Sequence, residues 1–235
     1  YTLIQLKWLI LFFILMAWAS CNRAPDYPDT SDIEVPLSIY RIDRVMNCQD
    51  SVECLDSIQV LYEKHNFFAE LYLQRILPVS PSRDSIEHAG KCAAFFSDSL
   101  VQEVRDEVQQ VFPDNKFLES ALRPVLQNWS YYFPNQAIPE FYCYYSLFNF
   151  GVVVLDDDAM GLGLDFFLGN EYPGYPASRF PNYIQRTMDK KFLPSRVAKG
   201  MIQNILPGPA SDRLLDQMIY EGKILFLTEK LIPAD

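Results

Sequence analysis

Cys21 is the side chain whose chemistry is easiest to name. One basic residue, Lys7, precedes an apolar run from Trp8 to Trp18, and Ala19-Ser20 lie directly before the thiol. A basic start, an apolar core shorter than a membrane span and small residues at a cut are the parts of an export signal. Cleavage before Cys21 leaves that sulfur at the head of the mature chain as the nucleophile that accepts lipid. Trp18 departs from the Leu usual in a bacterial lipoprotein box. The competing readings are a plain secretory signal or an uncleaved anchor. Against the anchor stands Asn22-Arg-Ala-Pro25-Asp-Tyr-Pro28, whose prolines and charges cannot continue a membrane helix. A single acyl chain holds a membrane only marginally, whereas a multiply acylated cysteine stays.

The remaining reactive side chains assemble no familiar catalytic pattern. Cys48, Cys54, Cys92 and Cys143 are left for an oxidising compartment, where four cysteines allow three pairings. Cys48 and Cys54 flank a short polar stretch and can form a local staple; buried free thiols are the alternative. The two histidines, His65 and His88, each lie in a helical stretch with no second histidine at i+4, which reads as two solvated helix faces. No Gly-x-Ser-x-Gly elbow is present. Asp156-Asp157-Asp158 lacks the alternating ligands of a calcium loop and reads as a hairpin turn. Gly161-Leu-Gly163 lacks both the dinucleotide and the P-loop spacing.

These side chains are carried by an acidic, aromatic-rich chain. Net charge is −10 with 17 Phe and 14 Tyr, and loss of Lys7 with the signal takes the mature form to −11. Such a balance disfavours nucleic acid, whose phosphates demand clustered Lys and Arg. Residues 1–20 are the expected lipoprotein signal, 21–32 a polar, Pro-rich tether, and 33–235 a single α+β domain. Val35, Leu37, Ile39 and Ile42 alternate as a first strand. Apolar residues then recur at steps of three and four over Ser51–Leu77, Ser82–Phe96, Asp98–Phe112 and Lys116–Phe133, so the first part of the domain is mostly helical. After Pro139 the character changes. Phe141–Tyr145 and Phe150–Leu155 are short, aromatic and β-branched, Met160–Asp165 reads as a third strand after the turn, and together they predict a small antiparallel or mixed sheet. A Tyr-, Pro- and Gly-rich loop covers 170–182, and C-terminal helices follow over Pro194–Leu206 and Asp212–Leu231.

Gly163 running into Leu164-Asp-Phe-Phe-Leu-Gly169, Tyr172 to Tyr175, Pro181-Asn-Tyr183 and above all Met218-Ile-Tyr-Glu-Gly-Lys-Ile224 resemble the gliding-motility-associated lipoprotein GldB family of Bacteroidota. The lipoprotein start and the Val35–Asp43 strand extend the resemblance over essentially the whole chain. Family members run on past the position of Asp235, and the chain starts at Tyr1 rather than Met, so further residues are expected at both ends. The family lies near zinc peptidases of the gluzincin type, which carry His-Glu-x-x-His on one helix and a Glu ligand on the next. At the matching spacing before Glu221 stand Ala198-Lys-Gly-Met-Ile202. Ala198 and Ile202 offer zinc no lone pair, and Lys199 has the wrong charge for a general base. The resemblance therefore implies a gluzincin-like framework with a degenerate metal site: a pseudoenzyme, with no cofactor, no metal and no catalytic residue.

It further implies a non-catalytic, palmitate-bearing lipoprotein of the outer membrane that supports gliding motility and the type IX secretion machinery by stabilising partner envelope proteins. Asn22-Arg-Ala-Pro25 lacks the acidic run that directs the family to the cell surface, which favours the periplasmic face. The aromatic loop 172–183 is the candidate partner surface, its rings packing the core being the plainer alternative. Two other readings compete: a zinc-dependent peptidase-like hydrolase, and a peptide- or glycan-binding protein using the remnant cleft.

Overall fold

The computed structural model describes residues 27–80, 85–156, 158–175 and 180–232. The expected signal and Cys21 lie outside them. The chain divides at Asp29/Thr30, and the larger unit begins three residues before the boundary expected at Ile33. The Thr30 hydroxyl donates to Asn128 Oδ1 at 2.7 Å, and Gln127 Nε2 donates to the carbonyls of Ser31 and Ile33 at 3.1 and 3.0 Å.

Among the described residues the fold is α+β, with eight α-helices and a four-stranded mixed sheet. Strand β1 (Ile39–Arg41) leads into α1 (Ile42–Val45), then α2 (Ser51–Leu71), α3 (Ser85–Phe96), α4 (Ser99–Val111) and α5 (Lys116–Tyr132). The strands β2 (Glu140–Tyr144), β3 (Val152–Asp156) and β4 (Ala159–Gly163) follow, then α6 (Asn182–Gln185), α7 (Leu193–Ile205) and α8 (Leu214–Leu231). No helix among the described residues is long and apolar enough to cross a membrane.

Helix starts follow their side chains. Asp50 caps α2 by accepting from the amides of Val52 and Glu53, and Glu53 reaches back to the Gln49 amide at 3.0 Å. That is close to a capping box. Asp98 caps α4 in the same manner. The helix expected over Ser51–Leu77 is instead kinked at His65 (φ −143°, ψ 51°) and finishes as a π-turn over Tyr72–Ile76. A disulfide joins Cys48 to Cys54, Cα atoms 5.0 Å apart, and ties the incoming loop to the first turns of α2.

The first strand is shorter than its alternation suggests, because Ile42 and Asp43 turn into α1 and bury their side chains. β1 pairs parallel to β2, β2 pairs parallel to β4, and β3 closes an antiparallel hairpin on β4. β4 is wholly buried and β2 nearly so, so they read as continuous apolar runs rather than alternating ones. The glycines of β4 are there for close approach: a Cβ on Gly161 would lie 2.8 Å from Tyr144 Cε1, and one on Gly163 would strike the Phe150 carbonyl. Phe68 stacks on Tyr142 with centroids 4.5 Å apart and on Tyr72 at 5.4 Å, and Tyr72 meets Tyr144 at 5.6 Å. This aromatic column fastens α2 to the sheet.

One buried ion pair locks β1 to the α4–α5 turn. Arg41 donates to both Asp43 oxygens at 2.8 and 2.7 Å, with side chains 8% and 1% exposed, and also to the Phe112 carbonyl at 3.1 Å. Removing one partner strands a buried charge, which typically costs about 3–5 kcal/mol. Asp43→Asn is therefore expected to destabilise the mature chain by about 3 kcal/mol in urea unfolding, and the paired Arg41→Met/Asp43→Leu change to cost clearly less. A single substitution costing under about 1 kcal/mol contradicts this account.

Candidate functional site

Helices α7 and α8 pack on each other and carry the positions implicated by the resemblance. Pro194 sits in the first turn of α7, where its missing N–H costs nothing. Val197, Ala198, Met201 and Ile202 form the inward face, while Gly200 lets the backbone approach the sheet, since a Cβ there would lie 2.9 Å from Met160 Cε. Ala198 and Ile202 are completely buried. Glu221 on α8 meets Lys199 on α7, Nζ to Oε2 3.7 Å, with about half of each side chain exposed. The arrangement brings Glu221 to the helix bearing 198–202, but to its lysine. Chemically it is a solvated ion pair, worth roughly 0–1 kcal/mol. Among the described residues no group of three or more His, Cys, Asp or Glu could hold a metal.

The other candidates are scattered. His88 is buried, not on a solvated face: it is 8% exposed, its Nε2 lies 3.9 Å from Cys92 Sγ and its Nδ1 has no hydrogen bond among the described residues. Burial, with Lys91 adding to it, lowers its pKa. His65 is half-buried rather than fully solvated. Its ring packs on Tyr40 at 4.4 Å and edge-on to Tyr142 at 5.4 Å, and both tyrosine hydroxyls donate to Glu140, at 3.1 and 3.0 Å. Cys92 and Cys143 are buried free thiols, and burial raises both pKa values, to about 11 for Cys92. Thiols held protonated in this way are poor nucleophiles. Asp156 and Asp158 flank the β3–β4 turn; Asp157 lies outside the described residues.

In the aromatic loop, Tyr172 and Tyr175 pack into the core, at 7% and 0% exposure, while Tyr183 is 71% exposed. Two of the tyrosines of the expected partner surface are thus core. Residues 176–179 lie outside the described residues.

Asp165 is the group that sequence reasoning passed over. It is fully buried on the turn after β4. Its Oδ2 accepts from the amides of Ser146 and Phe148 at 2.9 and 2.8 Å, while Oδ1 has no hydrogen bond among the described residues. That grip holds Leu147 and Phe148 in the left-handed region at φ 53° and 62°, a conformation costly for side chains of this size. Tyr175 closes the other side, donating to the Asp165 carbonyl at 2.8 Å and accepting from the Leu168 amide at 2.9 Å. A lone acid in the apolar run Met160–Leu168 was the available signal.

A family profile described as gliding motility protein GldB matches residues 23–235. The chain belongs to the GldB family. No curated protein and no solved structure gives a significant match. In this GldB-family chain the Met218–Ile224 segment, the part of the resemblance named above all others, lies on α8.

Burial pushes the Asp165 carboxyl up to about 6, against the opposing pull of the Phe148 and Ser146 amides. An acid whose folded pKa is raised contributes stability that is complete below its ordinary value of 3.8 and is lost as pH rises through about 6. The wild type is therefore expected to gain on the order of 2–3 kcal/mol relative to Asp165→Asn between pH 7 and pH 4. The paired comparison cancels the two histidines, whose lowered pKa values act in the opposite sense. Urea unfolding of both forms across that range checks it; parallel pH profiles contradict it.

Proposed function

We propose that this GldB-family chain is a palmitate-bearing, non-catalytic lipoprotein of the outer membrane. It faces the periplasm and supports gliding motility and the type IX secretion machinery by stabilising partner envelope proteins. In this reading residues 1–20 are a signal cut before Cys21, a short polar tether follows, and the α+β body works from the membrane surface. The observation that carries it is the family match from residue 23 to 235, joined to the lipoprotein-type segment before it. The α7–α8 pair is the remnant of a gluzincin-like framework. In support, Glu221 faces the helix carrying Ala198 and Ile202, and Lys199 takes up its charge where a general base would stand.

Cys21→Ala is expected to abolish palmitate labelling in cells, release the chain from the membrane fraction and fail to restore spreading in a deletion strain of a gliding host. Photocrosslinking from exposed positions with mass spectrometry then identifies the envelope partners. Full labelling of the alanine variant, or a deletion that leaves motility, secretion and envelope protein levels unchanged, sinks the reading.

A zinc hydrolase makes the opposite demand. Purified protein would hold stoichiometric zinc that Glu221→Gln removes. The expected result is zinc far below one equivalent in both forms, by elemental analysis. Chelator-sensitive hydrolysis of peptides overturns the non-catalytic reading.

A further inference from the structure

Beside the Lys199–Glu221 pair, α7 and α8 diverge and leave an open groove of about 290 Å³ lined by Thr187, Phe192, Arg196, Lys199, Leu225 and Thr228. Its walls are mostly apolar, yet a half-buried guanidinium lies within it. Arg196 Nη2 donates to Thr187 Oγ1 at 2.7 Å, and the Thr187 hydroxyl in turn donates a hydrogen bond to the Ile184 carbonyl at 2.8 Å. Arg196 forms no ion pair with a carboxylate among the described residues. Burial alone lowers its pKa, with no acidic neighbour to offset the effect. A guanidinium offers five donors, so Arg196 keeps most of them uncommitted.

A second polar atom in the groove is equally unmatched. Thr228 Oγ1, on the α8 side, is buried and has no hydrogen-bond partner among the described residues. A buried polar atom left unpaired is costly, and a partly desolvated cation without a counter-charge is more so. Lys199 adds little net charge because Glu221 answers it. Among the described residues the groove therefore presents one uncompensated positive charge between apolar walls, on a chain whose net charge is −10.

We infer that this groove binds an acidic peptide segment of a partner protein, one carboxylate seated on Arg196, and apolar neighbours of that acid lying against Phe192 and Leu225. A free phosphate would satisfy Arg196 but leave those apolar walls in water, which is why a peptide is the better complement. Leu225 is 63% exposed, and Met218 and Leu214 extend the apolar surface along α8 at 62% and 76%, so the bound segment can continue along that helix. The inference deepens the partner-stabilising reading proposed above and rests on it.

The test is peptide titration of the mature chain followed by amide NMR. The probes are acetyl-Ala-Leu-Asp-Leu-Ala-amide, its Asn twin and inorganic phosphate. Expected are shifts at Thr187, Arg196 and Thr228 with the Asp peptide, at an affinity at least about tenfold above that of the Asn twin. Arg196→Gln is expected to erase that preference. Leu225→Glu, a change at an exposed position, keeps the circular dichroism of the wild type and blocks the groove with its own carboxylate. Equal binding of the two peptides, saturation by phosphate without peptide preference, unaltered binding by both variants, or no shift at about 5 mM peptide each overturns the inference. Failure here with intact cellular crosslinks removes the groove but not the partner reading. Retained peptide preference with no envelope crosslink removes the partner reading instead.

Discussion

The carboxylate of Asp165 is the point on which the sheet end depends. It sits where β4 stops, and its amide contacts reach back across the sheet to the residues that leave β2. Without it, Leu147 and Phe148 have no reason to remain left-handed, and the chain from β2 to β3 loses its path. Tyr175 continues the arrangement outward by bridging the Asp165 carbonyl and the Leu168 amide. Three connections thus share one turn. The desolvation of a fully buried acid is offset by the two backbone donors that answer it.

The helices were legible because their apolar residues recur at three and four, and the exits of the longer ones carry Pro or polar residues. The strands β2 and β3 were legible by aromatic and β-branched content, whereas the reason for the glycines of Gly161-Leu-Gly163, contact with Tyr144 and with the Phe150 carbonyl, belongs to tertiary structure. The shortened first strand and the π-turn at Tyr72 were not legible, since local alternation cannot report that Asp43 is held inside by Arg41. His88 was misjudged for the same reason. A histidine beside Glu87 on a helix looks solvated until α3 packs that face inward. Arg196 had no sequence signature at all: its isolation is a statement about which acids are far away.

The α7–α8 pair is packed without any metal-binding side chain on its inner face. Ala198 and Ile202 turn their positions into ordinary core, packed without polar atoms. Lys199 and Glu221 remain at the rim as a screened pair that contributes little to stability. The polar interest of the region has moved along the helices, to a guanidinium and a hydroxyl that the described residues leave unsatisfied.

The parallel pairing of β1 with β2 has a consequence for how the chain acquires its shape. Ile39 lies opposite Phe141, so roughly a hundred residues must emerge before the first strand finds its neighbour, and closing so distant a pairing is slow. A protein threaded through a translocon in extended form would carry β1 across first and keep it waiting. The helices α2 to α5, rich in local contacts, can gather in the meantime, leaving the short Ile39–Arg41 strand unpaired until the aromatic strand arrives.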